Sequence, residues 1–522
     1  MPINLQSSFC QALANNVTGR SQPITAVHKP QSVAEVVELV LQARQDKTPL
    51  YPVSMGCNWG YGSKSPVTGA CALVDLGGMN RILNADSISL SNPVAVLEPG
   101  VTQGQLYEFL QTHCPELTFN VTGAARNTSV IGNALDRGVG YFGPRKDDLF
   151  GLEVVCGSGT VLKTGFRRLG ETSPLAHGHP FGLGPMVDGL FFQGNYGIVT
   201  SACFRLLPRR PVEVAVSLAL RRASDLGAFI DELAHLKREG LMTSVTHVAN
   251  QARSQSSMLF GMTKYLEETC GFQPDQALNE AQKSIRIVAP NEWTSLGAIT
   301  GNAGQVSASL KEIKRRMKHL ARVMVVTNRL LDIGFLVTNA FRFVPFARAN
   351  AAAIAAIRPL HSLALGVPTD VAIDNLLWKY GRSDLPARQL DQSNCGLLYI
   401  SPALPSNGKL VADLLDALNA IAVDHGHILY TTINIETSTS LVAIINVLFD
   451  TSKPKEVEAA HDCADALLKY IHAQGLEVYR ARADAMASIV SPDSTYWQTV
   501  RELKNVLDPD NIIAPGRYNL AV

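Results

Sequence analysis

Residues 53–63 read Val53-Ser54-Met55-Gly56-Cys57-Asn58-Trp59-Gly60-Tyr61-Gly62-Ser63, a glycine-rich loop behind the short apolar run Leu50-Tyr51-Pro52-Val53. Glycines at 56, 60 and 62 permit positive φ and close backbone approach, so successive amide N–H groups can converge on phosphate oxygens. No Lys-Ser/Thr pair follows the last glycine, as a nucleoside-triphosphate loop requires. No G-x-G-x-x-G opens a helix either, as in a dinucleotide-binding βαβ unit. Taken alone, a glycine cluster of this kind is more often a turn between two strands. The remainder of the chain decides between turn and cradle.

The chain has 522 residues, 46% hydrophobic and 17% charged, with a net charge of +1. That length allows two or three domains with substantial cores, and the charge balance gives no reason to expect nucleic acid as a partner. The short basic runs Arg167-Arg168, Arg209-Arg210 and Lys314-Arg315-Arg316 read as solvated faces. Nine cysteines are scattered without a C-x-x-C pair, a pattern of reduced thiols in which no metal site is expected. The opening residues Met1-Pro2-Ile3-Asn4-Leu5-Gln6-Ser7-Ser8 lack the basic and apolar regions of a secretory signal, so a cytoplasmic location is expected. No apolar run reaches the ~20 residues of a membrane span. The nearest, 330–357, is broken by Asp332, Arg342 and Arg348 and reads as a packed helical segment rather than a membrane-surface helix.

Ser32-x-x-Glu35 followed by apolar residues on helical spacing predicts a helix over 32–45 packed on a sheet. Strand-like Cys71–Leu76 and Val94–Glu98 then complete a small α+β unit. A second glycine-rich segment, Ser129-Val-Ile-Gly-Asn-Ala-Leu-Asp-Arg-Gly-Val-Gly-Tyr141, precedes a hairpin pattern over 152–163. After Asp188–Ser201 and Pro208 the composition shifts. From 211 to 480 strand-like runs alternate with longer helical patterns, among them 308–323 and 454–473. The tail is helical over 495–507 and stops at Asp508-Pro509, ahead of Asn511-Ile-Ile-Ala-Pro-Gly-Arg517.

Five segments together resemble the flavoproteins related to vanillyl alcohol oxidase and 4-cresol dehydrogenase, which share the FAD domain of p-cresol methylhydroxylase. They are 54–63, Val96-Leu-Glu-Pro-Gly-Val101, 131–141, 188–200 and Asp508–Arg517, in the family's order and spacing. The resemblance implies an α+β protein: an FAD-binding domain over 1–210, an inserted substrate domain over 211–480, and a segment 481–522 returning to the cofactor. It implies an FAD pyrophosphate held by Ser54, Met55, Gly56, Cys57, Asn58, Trp59 and Gly60. Pro99 and Gly100 would adjoin it. Ser129, Gly132, Asn133, Asp136, Gly138 and Gly140 would line the flavin and adenine ends with Gly197, Ile198 and Val199. Arg517, and Arg480 with it, would reach the cofactor, where a cation near N1 stabilises the anionic reduced ring.

The family's phenol-binding pattern falls on Tyr61, Tyr479 and Arg480. Two hydroxyls and a guanidinium converging on one oxygen would stabilise a phenolate, and lowering a phenol pKa from about 10 towards 7 needs roughly 4 kcal/mol. Charge-assisted hydrogen bonds of about 1.5–3 kcal/mol each could supply it. A phenolate pushes electrons into its ring, so hydride can leave the benzylic carbon and give a quinone methide. The implied reaction is FAD-dependent oxidation of a 4-alkylphenol or 4-hydroxybenzyl alcohol.

Several positions depart from the pattern. The acid near flavin N5 in vanillyl alcohol oxidase falls on Ala124, the paired histidines fall within Ser440–Ala443, and the usual Tyr-Thr-Pro-Tyr-Gly motif is Tyr141–Asp147 here. Alternation along Tyr430-Thr-Thr-Ile-Asn-Ile-Glu436 turns Thr432, Asn434 and Glu436 to one face, making Glu436 the candidate base against a plainer solvated strand end. The flavin-linking histidine aligns with Leu397 and the linking tyrosine near Leu376, which points to noncovalent FAD. Tyr399 and Cys395 keep a covalent link open. The departures admit a same-fold flavoenzyme for a non-phenolic alcohol, amine or biosynthetic intermediate, and a flavin-binding protein without turnover. Oxygen or a redox protein would be the electron acceptor, and the resemblance allows a homodimer.

Overall fold

The computed structural model describes residues 13–380 and 384–520; Cys10 and the eight opening residues lie outside them. Strand β1 (Ile24–His28) leads into α1 (Val33–Asp46). Ser32 starts the helix by accepting the Glu35 N–H, while the Glu35 carboxylate takes the Gln31 N–H at 3.0 Å. Val36, Val40 and Ala43 pack onto a parallel sheet in which β3 (Cys71–Asp75) lies between β1 and β2 (Leu50–Val53). The glycine-rich loop leaves the C-terminal end of β2.

A second, antiparallel sheet adjoins it. Its order is β4 (Val94–Leu97), β7 (Gly197–Arg205), β5 (Leu149–Cys156), β6 (Val161–Lys163), and the short helix α2 (Val130–Leu135) packs beneath it. The β5–β6 pair is the hairpin expected over 152–163.

Apart from a two-stranded pair of Leu117–Thr118 with Leu207–Pro208, the remaining strands build one large antiparallel sheet. Chain order runs β8 (Val212–Leu220), α3 (Leu226–Arg238), β9 (Thr246–Asn250), α4 (Gln251–Glu268), β10 (Trp293–Gly301), α5 (Ala303–Met317) and β11 (Ala321–Val326). Then come α6 (Asn328–Ala340), α7 (Pro345–Ala364), β12 (Cys395–Ile400), α8 (Gly408–Asp424), β13 (Tyr430–Ile435), β14 (Ser440–Asp450) and α9 (Pro454–Ala473). The spatial order is β11-β8-β10-β9-β13-β14-β12. One face carries Ile433, Ile435, Ala443, Ile445 and Val447 and is covered by α3, α5, α8 and α9. Because strand side chains alternate, the opposite face carries Thr432 and Asn434, and it turns towards the glycine-rich loop.

Two expectations need correction. The helix placed at 308–323 starts at Ala303, where Asn302 and Gln305 form a capping box, and ends at Met317. The β-branched run after it, Val323 to Val326, joins the sheet edge as β11. The 330–357 segment is two helices, not one packed unit. In α7, Ala349, Ala352, Ala353 and Ala356 pack in a core shared with α4, but α6 buries only Leu331 and leaves Leu336, Phe343 and Phe346 beside it largely exposed. Among the described residues no helix is long and apolar enough to cross a membrane.

The tail helix α10 (Thr495–Leu507) brings the chain back to the first sheet. Leu50 donates its N–H to Ile512 and accepts the Ala514 N–H, both at 2.7 Å, so the tail runs along β2. Asp508 is more than a stop signal. Its buried carboxylate pairs with Lys504 at 2.6 Å and accepts the N–H groups of Ile512 and Ile513, while Lys504 also donates to the Asn195 and Ile513 carbonyls.

Candidate active site

A cavity opens where β2, α2, the 193–199 segment and the returning tail meet. Ser54, Met55, Gly56, Cys57 and Asn58 form one wall. Gly56 sits at φ 69°, a left-handed conformation glycine adopts without strain. Pro99, Ser129, Gly132, Asn133 and Asp136 form a second wall, Gly197, Ile198 and Val199 a third, and Arg480 and Arg517 close the end. The walls interlock: Ser129 Oγ donates to the Pro99 carbonyl and accepts the Gly132 N–H, and a Cβ on Gly132 would strike Ser54 Oγ. A Cβ on Gly194 would collide with the Leu190 carbonyl oxygen.

This lining suits a long, polar, anionic cofactor with apolar rings. Backbone amides approach it at the loop, and the buried Asn133 Oδ1 on its wall has no protein partner, as an acceptor facing a ligand N–H would be. Asp136 accepts from Arg480 Nε at 2.7 Å and from Arg517 at 3.0 Å, and Arg517 also donates to the Tyr51 hydroxyl. Burial by itself lowers guanidinium pKa values, but neighbouring Asp136 and tyrosines hold both above the usual range. Two cations share one carboxylate, leaving net positive charge at the cavity's end.

Next to that end, beneath the large sheet, lies a cluster of polar side chains. The Tyr61 hydroxyl is 2.8 Å from Ser401 Oγ, its ring stacks on Tyr399 at 5.0 Å, and the Arg480 guanidinium lies 4.2 Å from its ring centre. Arg480 also donates to Asn58 Oδ1. Tyr479 is held by its backbone, with its N–H on the Ser401 carbonyl and its carbonyl on Gln193 Nε2. Burial raises the pKa of both Tyr61 and Tyr479, so both hydroxyls keep their protons at neutral pH and can donate them.

Register explains the sheet face above this cluster. His247 pairs across the sheet with Asn434, and Asn434 with Val442, on the face opposite the apolar core. His247 Nδ1 is 2.7 Å from Asn434 Oδ1, and its ring lies 4.5 Å from that of Tyr141. Burial lowers the imidazole to about 4, and its Nε2 has no partner. Glu436, just beyond β13, is pushed up to about 7, first by burial and then by Asp147, and its charge acts on Tyr479. Its side chain is half-buried at that strand end.

Five residues expected at the cofactor stand off the wall. Trp59 packs with Leu376 and Leu397 in an apolar cluster, and Gly60 abuts the Tyr399 ring. Gly100 lies against the Gly77 carbonyl, Gly138 against Asn133 and Gly140 against Asn120, so their role here is close packing. At the positions considered for a covalent flavin link, Leu397 and Leu376 are buried hydrocarbons, and burial pushes the Cys395 thiol up to about 12. Sequence reasoning missed Tyr51, Gln193, His247 and Ser401. Tyr51 and Gln193 lay within quoted segments; His247 and Ser401 carry no motif and gain meaning only from tertiary contacts.

The family described as an FAD binding domain matches residues 24–165. The chain is 31% identical over 504 residues to the 1'-carboxy-chondrochloren decarboxylase of Chondromyces crocatus, covering 95% of this chain and 90% of that one. It is 27% identical to the flavoprotein subunit of 4-cresol dehydrogenase (hydroxylating) of Pseudomonas putida, covering 95% and 89%. Among solved structures, p-cresol methylhydroxylase with substrate bound superposes with a TM-score of 0.81 at 24% identity, over 99% of this chain and 93% of that one.

Proposed function

This chain belongs to the FAD-linked flavoproteins related to p-cresol methylhydroxylase and vanillyl alcohol oxidase and is an FAD-dependent oxidoreductase, and from that premise we propose that it removes hydride from the benzylic carbon of a para-substituted phenol bound as phenolate. The observation that carries this reading is the convergence of Tyr61, Tyr479 and Arg480 at the end of the cavity. Ser401 can donate to the Tyr61 oxygen, which frees the Tyr61 proton for the substrate oxygen, and Tyr479 offers a second proton. Arg480 keeps the anion's countercharge in place through Asp136 and Asn58.

The walls from 54–58, 129–136 and 197–199 would hold FAD noncovalently, with Arg480 and Arg517 at its electron-rich end. FAD, when bound, supplies a two-electron acceptor. Residues 1–210 with 481–522 would form the cofactor domain and 211–480 the substrate domain. Glu436, poised near neutrality, is the candidate base for the proton that water addition releases. Oxygen or a redox protein would take the electrons onward.

Anaerobic mixing of the yellow protein with 4-alkylphenols and 4-hydroxybenzyl alcohols tests the reading: flavin absorbance should bleach. Bleaching by amines or aliphatic hydroxy acids alone would overturn it.

A second reading has its own support. The relative at 31% identity is named a decarboxylase, and this chain lacks the histidine pair that the resemblance would supply. The same hydride removal would then be followed by loss of CO2 from the side chain.

A further inference from the structure

Helix α6 is apolar on both of its sides. Leu331 faces inward and packs with Val326 and Ala215 of the large sheet. The Phe335 ring meets the Tyr265 ring edge-on at 6.0 Å with the Arg358 guanidinium 5.4 Å from its centre, and the Tyr265 hydroxyl donates to Asn339 at 2.7 Å, so α6 is also held on α4. At about 100° per residue, Leu330, Ile333, Leu336 and Val337 fall on the side away from Leu331. A helix side turned to solvent ordinarily carries polar residues.

The turn into α7 extends this apolar side with Phe341, Phe343, Val344 and Phe346. All eight side chains are more than 40% exposed, and Leu336, Phe343 and Phe346 reach 70% or above. The turn is fixed by its own backbone: the Val344 N–H donates to the Phe341 carbonyl at 2.9 Å, the Phe341 and Phe343 rings lie 6.1 Å apart, and Pro345 opens α7 where a helix loses no hydrogen bond. A contiguous apolar surface of this extent exceeds the few hundred Å² usual on a monomer and marks an interaction site.

The rim of the patch is cationic. Arg329 and Arg342 stand at the two ends of α6, and alternation along β11 puts Arg322 and the exposed Met324 on the same sheet face as Val326, the face that α6 packs on. All three arginines are exposed and, among the described residues, enter no ion pair. The single acid between 320 and 350 is Asp332, and Arg358 engages it at 2.8 Å. A second copy of this chain is disfavoured as the occupant, because a two-fold contact would set these cations against themselves with no free carboxylate on the patch to receive them. Exposed phenylalanines flanked by unpaired arginines complement an anionic lipid surface instead. Helix α6 is about 20 Å long, short of the roughly 30 Å of hydrocarbon that a crossing needs, so it would lie along such a surface.

We propose that the outer side of α6 and the 341–346 turn dock this protein on an anionic phospholipid bilayer, with Phe341, Phe343 and Phe346 entering the acyl boundary and Arg322, Arg329 and Arg342 meeting lipid phosphates. Docking of this kind does not depend on which substrate the flavin oxidises.

The holoprotein is sedimented with vesicles of phosphatidylcholine alone and with vesicles of about two parts phosphatidylcholine to one part phosphatidylglycerol. At about 1 kcal/mol per arginine near the surface, it should bind the anionic vesicles roughly ten- to a hundred-fold more tightly. Raising NaCl to about 0.5 M should weaken that binding. Phe343→Ser combined with Phe346→Ser should lose most binding to either vesicle, and Arg329→Gln combined with Arg342→Gln should lose the preference for the anionic one. Both double variants should keep wild-type FAD content and thermal unfolding temperature, since these side chains project into solvent. Brominated lipids should quench the emission that Phe343→Trp adds. Absence of vesicle binding, or binding that both double variants retain, overturns the proposal. So does light scattering that finds the wild type dimeric and the serine double variant monomeric, because a second copy would then cover this face.

Discussion

The hydroxyls of Tyr61 and Ser401 lie 2.8 Å apart, joining the last turn of the glycine-rich loop to the end of a strand of the large sheet. One contact thus ties the glycine-rich loop to the large sheet. The Tyr61 carbonyl also accepts the Ala483 N–H and the Tyr479 N–H reaches Ser401, so three segments distant in sequence share a single corner.

Removing only the hydroxyl should separate phenolate binding from packing. Tyr61→Phe keeps the ring between Tyr399 and Arg480 but loses a donor worth about 1.5–3 kcal/mol to an anion. We expect kcat/KM with 4-alkylphenols to fall roughly ten- to a hundred-fold, with FAD content unchanged, in stopped-flow reduction and absorbance ratios.

Glu436 has a folded value near 7 against an ordinary 4.5, mainly through burial. The folded chain therefore holds this proton where the unfolded chain has lost it, so the Glu436 contribution to stability falls as pH rises from about 4.5 to 7 and is level above. Glu436→Gln should flatten that slope in thermal unfolding. It should also slow hydroxylation of a neutral alkylphenol by roughly 10²-fold or more and leave CO2 release from a phenolic acid unaffected.

A methyl group at Gly194 has no room, because the Leu190 carbonyl oxygen is backbone and cannot swing aside. Gly194→Ala should shift the 193–197 segment, which lines the cofactor cavity and holds Tyr479 through Gln193. The expected result is purified protein with reduced FAD occupancy and weaker FAD rebinding by the apoprotein.

The Lys504–Asp508 pair anchors the tail that carries Arg517. Lys504→Met leaves a fully buried carboxylate without its cation and should cost about 3–5 kcal/mol, read by chemical unfolding. Combining it with Asp508→Asn should restore part of the loss, since a neutral amide can still accept one of the two backbone N–H groups.

Acid precipitation should leave the yellow colour in the supernatant. Leucines at 397 and 376 offer no nucleophile, the buried Cys395 thiol stays protonated, and the Tyr399 ring is packed against Tyr61. Colour in the pellet would establish a covalent link.

Local signals read well in the chain. Ser32 and Glu35 forecast α1 by capping it, and the helices at 454–473 and 495–507 appear at the predicted bounds because 3.6-residue periodicity acts within one segment. The 308–323 forecast slipped because helix and edge strand are separated by only a three-residue turn, and both carry apolar side chains. Glycines misled in another way. Gly100, Gly138 and Gly140 share the cavity glycines' lack of a side chain, but backbone or side-chain neighbours occupy that space instead of the cavity.

By itself the sequence determined the backbone requirements of this protein: glycines at the loop, their order along the chain, the alternation that turns Thr432, Asn434 and Glu436 one way, and the family they point to. Tertiary structure alone decided which side chains face one another. His247 meets Asn434 because β9 and β13 pair in that register, and Asp136 joins Arg480 to Arg517 because the tail folds back along β2. Polar residues at single positions carry no periodic signal; their chemistry comes from distance, and distance between remote segments is set by packing.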